Sequence, residues 1–514
     1  MRQAGRLCLS RRRVLAGAAT LITAPALAQV AVPAPSSSAS GSSASDASAR
    51  SSASTSPMLK PRPSRERLEE ALARIADPNG EGARACLTVY REAARVSADA
   101  ADARLRAGIP LGPLDGTIVS IKDLFDVAGV PNTLGSKVLL DNVPTTDATV
   151  VKRLRQAGAV ILGKHNLHEF AFGITSENPH FGVVHNPWDL DRVPGGSSGG
   201  TAAAVAAGLC VGGLGSDTGA SIRAPASWCG VSGIKPTYSR VSRAGVLPLA
   251  WSLDHPGPIA RTVGDCATLL QAIAGPDPRD PTASQEPLPD YSADLHLGVA
   301  GLRIGVPREH YFDQVEPSVE QVVRRAIAQL SGLGAQIEEV SLPHARHAQA
   351  AGNVIMSSEA AAWHHDWLRD RPGDYGADVL LRIRGGLLVR ATEYLHSQQL
   401  RTLLQQDFAA AFERVDVVLG PTMPLVAPLI GRTFEPSGTF NLAPRGIANR
   451  LTVPCNLTGM PAMSVPCGFA DGLPVGLQIM APAFAESLVL RVGAAYEAVT
   501  DWHRQRPPLA ARAI

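Results

Sequence analysis

The chain has 514 residues, of which 45% are hydrophobic and 18% are charged, so it can bury a large core. Its formal charge is +2, but five of its basic residues are arginines that precede Ala28. Without those five arginines, the number of basic residues falls from 48 to 43, which is below the 46 acidic residues. No basic surplus then remains to neutralise phosphates. The composition therefore argues against a nucleic-acid-binding protein.

Residues 1–28 show the pattern of an export signal. Ser10-Arg-Arg-Arg-Val-Leu15 places a twin arginine before a weakly apolar run, and Ala26-Leu-Ala28 fits a small-x-small cleavage site. The pattern predicts a Tat-type signal peptide and a periplasmic or secreted protein, with a basic tail as the alternative. Residues 29–63 are dominated by Ser, Ala and Pro and are expected to form a flexible linker, which leaves 64–514 as one folded domain.

Helical and strand patterns alternate after residue 64, which favours one large α/β domain over repeats. Ser64 is a plausible N-cap for a first helix with Leu68, Leu72 and Ile75 on one face. Further helices are predicted over 83–107, 149–157, 263–274, 318–332 and much of 345–415. Strands are predicted over 114–128, 160–162, 302–306, 336–340, 417–420, 463–467 and 474–479.

Two clusters rich in glycine and serine flank a small apolar segment. The first is Val193-Pro-Gly-Gly-Ser-Ser-Gly-Gly200 and the second is Gly215-Ser-Asp-Thr-Gly-Ala-Ser-Ile-Arg223. Glycines let the backbone approach a ligand closely, and the hydroxyls can bind it. Residues 202–214 between them predict a buried helix that runs into a strand, too short to span a membrane. The clusters are either a ligand site or ordinary turns beside a core helix.

Two familiar serine motifs occur without their usual surroundings. Gly195–Gly199 satisfies G-x-S-x-G, the nucleophile elbow of α/β-hydrolases, which requires a strand immediately before it. Residues 186–194 instead carry two prolines and no strand pattern, so a serine esterase of this Ser–His type is only the alternative. Ser232-Gly-Ile-Lys235 matches S-x-x-K, but no S-D-N or K-T-G triplet accompanies it, and we interpret it as a chance match.

A third arrangement uses a lysine as the base. Lys122 interrupts an apolar run, so its ammonium must find a partner, reach solvent or lose its proton. Burial lowers the pKa of a lysine, and a neutral lysine can accept a proton. A structural lysine held in a salt bridge is the alternative.

Five segments together resemble the amidase signature family, whose catalytic unit is a Ser–cis-Ser–Lys triad. The resemblance runs from about Leu68 to the C-terminus, in the order and spacing of that family. It implies an α/β fold in which helices on both sides cover a large mixed β-sheet core. The matching segments are Val119-Ser-Ile-Lys-Asp123, Gly195-Gly-Ser-Ser-Gly-Gly200, Gly215-Ser-Asp-Thr-Gly-Ala-Ser-Ile-Arg223, Ser252-Leu-Asp-His-Pro-Gly-Pro258 and Gly472-Leu-Pro-Val-Gly-Leu-Gln478.

Carried over to this sequence, the resemblance implies a role for each polar residue. Ser221 is expected to be the nucleophile, Ser197 the proton relay after a cis peptide bond, and Lys122 the base. Backbone N–H groups are expected to form the oxyanion hole, at Thr218, Gly219, Ala220 and Ser221. Side chains expected to support the site are Ser198, Asp217 and Arg223.

The sequence departs from the family pattern at two positions. The family usually has Gly-Gly-Ser at the nucleophile, whereas this chain has Gly219-Ala220-Ser221, and Ala220 is expected to narrow the space beside the acyl group or to limit φ. Ser239 stands where a glycine is common, after Lys235-Pro-Thr-Tyr238, and the sequence offers no account of its effect.

The resemblance implies an amidase that cleaves the C–N bond of a small or aryl carboxamide and releases a carboxylate with ammonia or an amine. A small-molecule amide is the expected partner, without nucleic acid, metal or organic cofactor. The same core serves as the glutaminase subunit of tRNA-dependent amidotransferases, but the expected export argues against that role. A non-catalytic amide-binding protein is a further alternative.

Metal sites and disulfides have little support in the sequence. His165 with His168, and His344 with His347, are i,i+3 pairs that lack a third ligand at helical spacing. The seven cysteines contain no C-x-x-C pair, which argues against zinc and redox motifs. Six of them lie in mostly apolar surroundings and are expected to be buried free thiols, with disulfides as the alternative: Cys86, Cys210, Cys229, Cys266, Cys455 and Cys467.

Overall fold

The computed structural model describes residues 62–432 and 448–508. The predicted signal peptide over 1–28 and nearly all of the predicted linker over 29–63 lie outside these described residues. None of the described helices is both long and apolar enough to cross a bilayer.

Thirteen strands are found in the described ranges, and eleven of them form one mixed sheet in the order β1-β3-β2-β6-β8-β7-β12-β13-β11-β9-β10. The short strands β4 and β5 pair separately. The strands are β1 Cys86–Val89, β2 Ile118–Lys122, β3 Val160–His165, β4 Glu177–Asn178, β5 Gly182–Val183, β6 Gly212–Asp217, β7 Ser232–Lys235, β8 His255–Ala260, β9 Arg303–Pro307, β10 Gln336–Val340, β11 Val417–Pro421, β12 Ala462–Ala470 and β13 Leu473–Met480.

Helices flank this sheet, so the fold is the mixed α/β architecture that the resemblance implied. In the described ranges they are α1 Ser64–Ala76, α2 Gly82–Ala85, α3 Arg91–Ala107, α4 Thr149–Gln156, α5 Gly199–Ala206, α6 Arg223–Cys229, α7 Val263–Ile273, α8 Pro317–Gly332, α9 Ala348–Trp363, α10 His365–Asp370, α11 Ala377–Gly386, α12 Ala391–Arg414, α13 Val453–Thr458 and α14 Glu486–Ala498. Short 3₁₀ turns cover Lys137–Leu139, Glu169–Ala171, Ala345–His347, Pro372–Asp374 and Trp502–Arg504.

Three neighbouring strands place the polar clusters at one edge of the sheet. β2 lies between β3 and β6 and runs parallel to both. Because parallel strands end at the same edge, Lys122 at the end of β2 emerges beside the last residues of β6. The following turn, 218–221, and the N-terminus of α5 therefore meet at this edge.

Two local predictions are wrong for identifiable reasons. The helix predicted over 83–107 is interrupted by β1, Cys86-Leu-Thr-Val89, which is extended because it pairs antiparallel with β3. Ser64 is the first residue of α1 and its side chain does not cap the helix. The carboxylate of Asp102 on α3 accepts the Ser64 N–H at 2.6 Å and the Arg65 N–H at 3.0 Å, so the cap comes from another helix.

Candidate active site

Lys122 reaches the two serine-rich clusters from the end of β2. Its side chain is completely buried, and its Nζ donates to Ser197 Oγ at 2.6 Å and to Ser216 Oγ at 2.9 Å. In residues 62–432 and 448–508, no carboxylate lies within ion-pair distance of Nζ. The geometry therefore argues against the alternative of a structural Lys122 held in a salt bridge.

Burial sets the protonation of Lys122. Removing the ammonium from water lowers the pKa of Lys122 to about 7, and the charges of Asp254 and Asp217 act in the opposite direction. The hydroxyl oxygens of Ser197 and Ser216 carry no charge that could keep the ammonium protonated. A substantial fraction of Lys122 is consequently neutral near pH 7, as a proton acceptor requires.

Ser197 lies between the cis peptide bond that follows Gly196 and the start of α5. Its carbonyl accepts the backbone N–H of His168 at 3.2 Å. Ser198 points elsewhere, because its Oγ donates to the Ser216 carbonyl at 3.2 Å and accepts the Ser216 N–H at 3.3 Å. The adjacent serines thus differ: Ser197 contacts Lys122, whereas Ser198 ties α5 to β6.

The turn after β6 forms one wall of a cavity of about 280 Å³. Ser221 is 7% exposed and lies on this cavity together with Gly196. Thr218, Gly219 and Ala220 line the same wall, so all four residues expected for the oxyanion hole are adjacent to the space that a substrate would occupy. The other walls are formed by residues 171–174, by Leu249 and Asn449, and by side chains from helices α9 and α11.

The chemistry of the cavity lining is mixed. Phe172, Leu249 and Met356 are apolar, and Gln349 and Asn353 offer amides. Arg382 is the charged side chain in the described lining, and it pairs with Asp378 and lies over the Phe172 ring, 4.9 Å from its centroid.

An ion pair beneath the turn holds it in place. Arg223 donates to Asp217 through Nε and Nη2, each at 2.9 Å, with both side chains fully buried. Burial raises the pKa of Asp217, but the Arg223 charge and hydrogen bonds outweigh burial and leave that pKa below its usual value. Asn456 and Gln478 bind the same pair, which connects the turn to α13 and β13.

The histidines near the matching segments do not contact the serines through their rings. His165 is buried with its pKa lowered to about 3, and its Nδ1 faces Thr201 at 3.3 Å. His255 Nδ1 lies 2.6 Å from the Leu253 carbonyl, and burial lowers its pKa well below the usual value. The His168 ring lies against Thr175 and Asp378.

The two alternative serine motifs lack the geometry they need. Pro194 and Gly195 are loop residues, so no strand leads into Gly195–Gly199. Ser232 Oγ donates to Glu497 at 3.2 Å, whereas Lys235 Nζ donates to the Met460 carbonyl at 2.6 Å. Ser232 and Lys235 therefore have separate structural partners.

The structure shows contacts of Ser216 and Asp254 at the site that the sequence does not predict. It also shows the backbone conformation of Ala220 and Ser239, the two positions that depart from the family pattern. The sequence predicts neither the contact of Ser216 with Lys122 nor a function for Asp254, although Asp254 lies in a matching segment, which is the available signal. Ala220 has no positive φ, so alanine is accommodated here without left-handed backbone strain. Ser239 has φ of 76°, the left-handed region that favours glycine, which explains why glycine is common at this position.

The family model described as Amidase matches residues 66–490. The chain belongs to the amidase family and is an enzyme that cleaves amide C–N bonds.

Similar proteins carry several different descriptions. The glutamyl-tRNA(Gln) amidotransferase A subunit of Roseiflexus sp. (strain RS-1) is 46% identical over 468 residues, which is 86% of this chain and 94% of the relative. A structure from a study of a vestigial protein complex and the origins of an s-triazine catabolic enzyme is 40% identical, with a TM-score of 0.81 over 85% of this chain and 95% of the other. A bacterial aryl acylamidase is 28% identical, with a TM-score of 0.78 over 88% and 95%.

These relatives contradict the predicted export. Relatives at 44–46% identity are named as A subunits of glutamyl-tRNA(Gln) amidotransferase, and none of these names denotes an exported protein. The prediction of a Tat-exported, periplasmic or secreted protein is therefore wrong, and it gives no argument against an amidotransferase role. The twin-arginine pattern is a short sequence match, and it lies outside the described residues.

Proposed function

We propose that this protein hydrolyses a carboxamide through an acyl-enzyme on Ser221, with Ser197 as the proton relay and Lys122 as the base. The observation that carries the proposal is the 2.6 Å hydrogen bond between Lys122 Nζ and Ser197 Oγ, made by a lysine that burial brings close to neutrality. Ser221 lies on the cavity wall, and its carbonyl accepts the N–H of Ser198, the residue after Ser197, at 3.3 Å.

Each step conserves its protons. Ser221 Oγ bonds to the carbonyl carbon while its proton passes to Ser197, whose own proton passes to neutral Lys122. The C–N bond breaks as the leaving nitrogen takes a proton back along the same relay. Water then adds to the acyl carbon and gives one proton to the same relay. The ester bond to Ser221 breaks, Ser221 Oγ takes that proton back, and the acid leaves as a carboxylate after losing its remaining proton to solvent.

The turn 218–221 is proposed to stabilise the negative charge on the carbonyl oxygen. Its backbone N–H groups are available beside the cavity, and preorganised donors of this kind are worth ~10²–10³-fold in kcat each. Asp217 and Arg223 keep the turn fixed from beneath, and Ser198 fixes α5 against β6.

For the substrate, we propose a primary carboxamide that releases ammonia. The support is the likeness to the glutamyl-tRNA(Gln) amidotransferase A subunits, because the matching part of this chain covers 94–96% of the length of several of them. On this proposal the protein supplies ammonia as one component of an assembly that a partner protein would complete. A small or aryl amide is the second candidate, favoured by the apolar part of the cavity and by the aryl acylamidase likeness.

The test combines one substrate panel with three variants. Ammonia and amine release are measured on glutamine, a primary aryl carboxamide and an anilide. Ser221→Ala is expected to lower kcat by ~10³–10⁶-fold on every active substrate. Ser198→Ala is expected to cost less than Ser197→Ala, because Ser197 is the one of these two serines that contacts Lys122.

The outcomes separate the candidates. Ammonia release from glutamine supports the amidotransferase-type role, whereas amine release from the anilide with no glutamine turnover supports the aryl amidase. Near-native turnover by Ser221→Ala on the preferred substrate would refute the acyl-enzyme on Ser221.

A further inference from the structure

Asp254 joins two parts of the cavity wall that are far apart in sequence. It precedes β8 and is 6% exposed. Its Oδ1 accepts the Thr218 hydroxyl at 2.6 Å, and its Oδ2 accepts the Leu249 N–H at 2.9 Å and the Ala250 N–H at 3.2 Å. One buried carboxylate therefore contacts both the turn after β6 and the loop 249–254.

Both of its partners are next to the substrate space. Thr218 begins the turn that is proposed to bind the carbonyl oxygen, and Leu249 lines the cavity on another side. The loop 249–254 is also anchored from outside, because Glu359 on α9 accepts the Ser252 N–H at 2.8 Å and its hydroxyl at 2.6 Å. Asp254 thus connects the turn to a loop that is itself held by α9.

Asp254 also acts on Lys122 through its charge. Its charge raises the pKa of Lys122 against burial, and this effect is larger than that of the Asp217 charge. Burial raises the pKa of Asp254 itself to about 6, while the Thr218 hydroxyl and the charge of Arg243 lower it. Above pH 6 most of Asp254 is ionised and stabilises the protonated form of Lys122.

We propose that Asp254 is a positioning residue for the reaction. It accepts the Thr218 hydroxyl and so holds the turn 218–221 at a fixed position on the cavity wall. The inference rests on the proposed function, because the turn matters to turnover only if its N–H groups bind the carbonyl oxygen. It assigns to Asp254 a role in kcat with little role in substrate affinity.

The first experiment changes the hydroxyl alone. Thr218→Val keeps the shape of the side chain but removes the donor, and we expect kcat to fall ~10–100-fold with KM near the wild-type value. Thr218→Ser restores the donor and is expected to recover most of that loss. Thr268→Val is the matched control, because it removes a threonine hydroxyl that donates to the Gly264 carbonyl within α7, outside both the turn and the loop; its kcat is expected to stay near wild type.

The second experiment uses the charge. In Asp254→Asn the negative charge near Lys122 is gone, so the protonated lysine is less stable and its pKa falls. The ascending limb of kcat/KM against pH is expected to move to lower pH, a shift that a purely structural defect would not produce. Thermal melts of each variant check that the protein remains folded.

The outcomes are distinguishable from failure of the proposed function. Ser221→Ala is measured in the same series, and its inactivity establishes that turnover depends on Ser221. If Ser221→Ala is inactive but Thr218→Val retains wild-type kcat, the positioning role is overturned while the function stands. A limb that stays in place or moves to higher pH in folded Asp254→Asn overturns the effect of the Asp254 charge on Lys122, which Thr218→Val does not test.

Discussion

Among the described residues three lysines are fully buried, and their partners determine what each can do. Lys164 pairs with the buried carboxylate of Asp123 at 2.8 Å, and Lys235 donates to backbone carbonyls. Lys122 alone among the three donates to serine hydroxyls. A hydroxyl can pass on a proton that it receives from another serine, so the environment of Lys122 suits proton transfer.

Activity is expected to rise with pH as Lys122 loses its proton. Since burial lowers the pKa of Lys122 to about 7, the ascending limb of kcat/KM should have its midpoint near pH 7 and far below the usual lysine value of 10.5. A pH–rate profile measures this limb. The limb should persist in His165→Asn and His255→Asn, because burial keeps both imidazoles neutral near pH 7.

The contrary outcome would favour a histidine base. If Lys122→Ala retained near-native turnover while one histidine variant abolished the limb, the lysine mechanism would be wrong.

Replacing two buried lysines should change stability in opposite directions. Lys122→Met removes a group that is costly to bury, so we expect inactivity with the free energy of unfolding raised by about 1–2 kcal/mol at pH 7. Lys164→Met leaves the Asp123 carboxylate buried without its cation and should cost about 3–5 kcal/mol. Urea unfolding at pH 7 measures both, and equal destabilisation by the two changes would refute the contrast.

At the scale of elements, α5 depends on its small residues. All eight of its residues are buried, and they allow the helix to sit against the sheet. A Cβ at Gly200 would overlap the backbone carbonyl of Asn166 and lie 2.8 Å from that of Ala85. Backbone atoms cannot move aside as a flexible side chain can. Because these carbonyls lie so close to Gly200, only glycine fits at this position without a shift of the backbone.

Gly200→Ala is therefore expected to destabilise the protein by at least about 2 kcal/mol, and to lower activity because Ser197 precedes the same helix. Gly332→Ala is the matched control, since a Cβ there would meet no atom within 4 Å; its effect should stay within about 0.5 kcal/mol. Unfolding midpoints of the two variants decide the matter. Equal midpoints would show that α5 can shift to accept the methyl group.

Elements with a strong periodic pattern were predictable from the sequence. The strand predicted over 336–340 is β10, and the predicted helix over 149–157 differs from α4 by one residue. The strand predicted over 114–128 is shorter than expected, because only Ile118–Lys122 pairs with β3 and β6. β1 was missed because its four residues are extended by pairing with β3, which local sequence does not record.

For the whole molecule, the sheet order explains which parts of the site were visible in the sequence. The glycine-serine clusters and Lys122 were visible because each lies in a recognisable segment. The partners of Arg223 on α13 and β13, more than two hundred residues away, carry no local pattern. They meet Arg223 only after the mixed sheet brings the N-terminal and C-terminal strands together, as β7 does by pairing with β12.

The described part of the chain should also keep its six thiols reduced and inaccessible. All six described cysteines are free, and five of them are buried. Burial raises the pKa of Cys229, Cys266 and Cys467, for example, so little reactive thiolate forms. Ellman titration should show slow reaction of these six thiols in the folded protein and their full reaction after unfolding without reductant. A deficit of two thiols that only a reductant restores would indicate a disulfide.

The identity of the nucleophile is the central claim, and covalent labelling tests it most directly. A fluorophosphonate probe reacts with an activated serine, and peptide mapping by mass spectrometry locates the adduct. We predict the adduct on Ser221, with labelling abolished in Ser221→Ala and strongly slowed in Lys122→Ala. An adduct on Ser197, Ser198 or Ser232 in the wild-type protein, with Ser221 unmodified, would contradict this assignment.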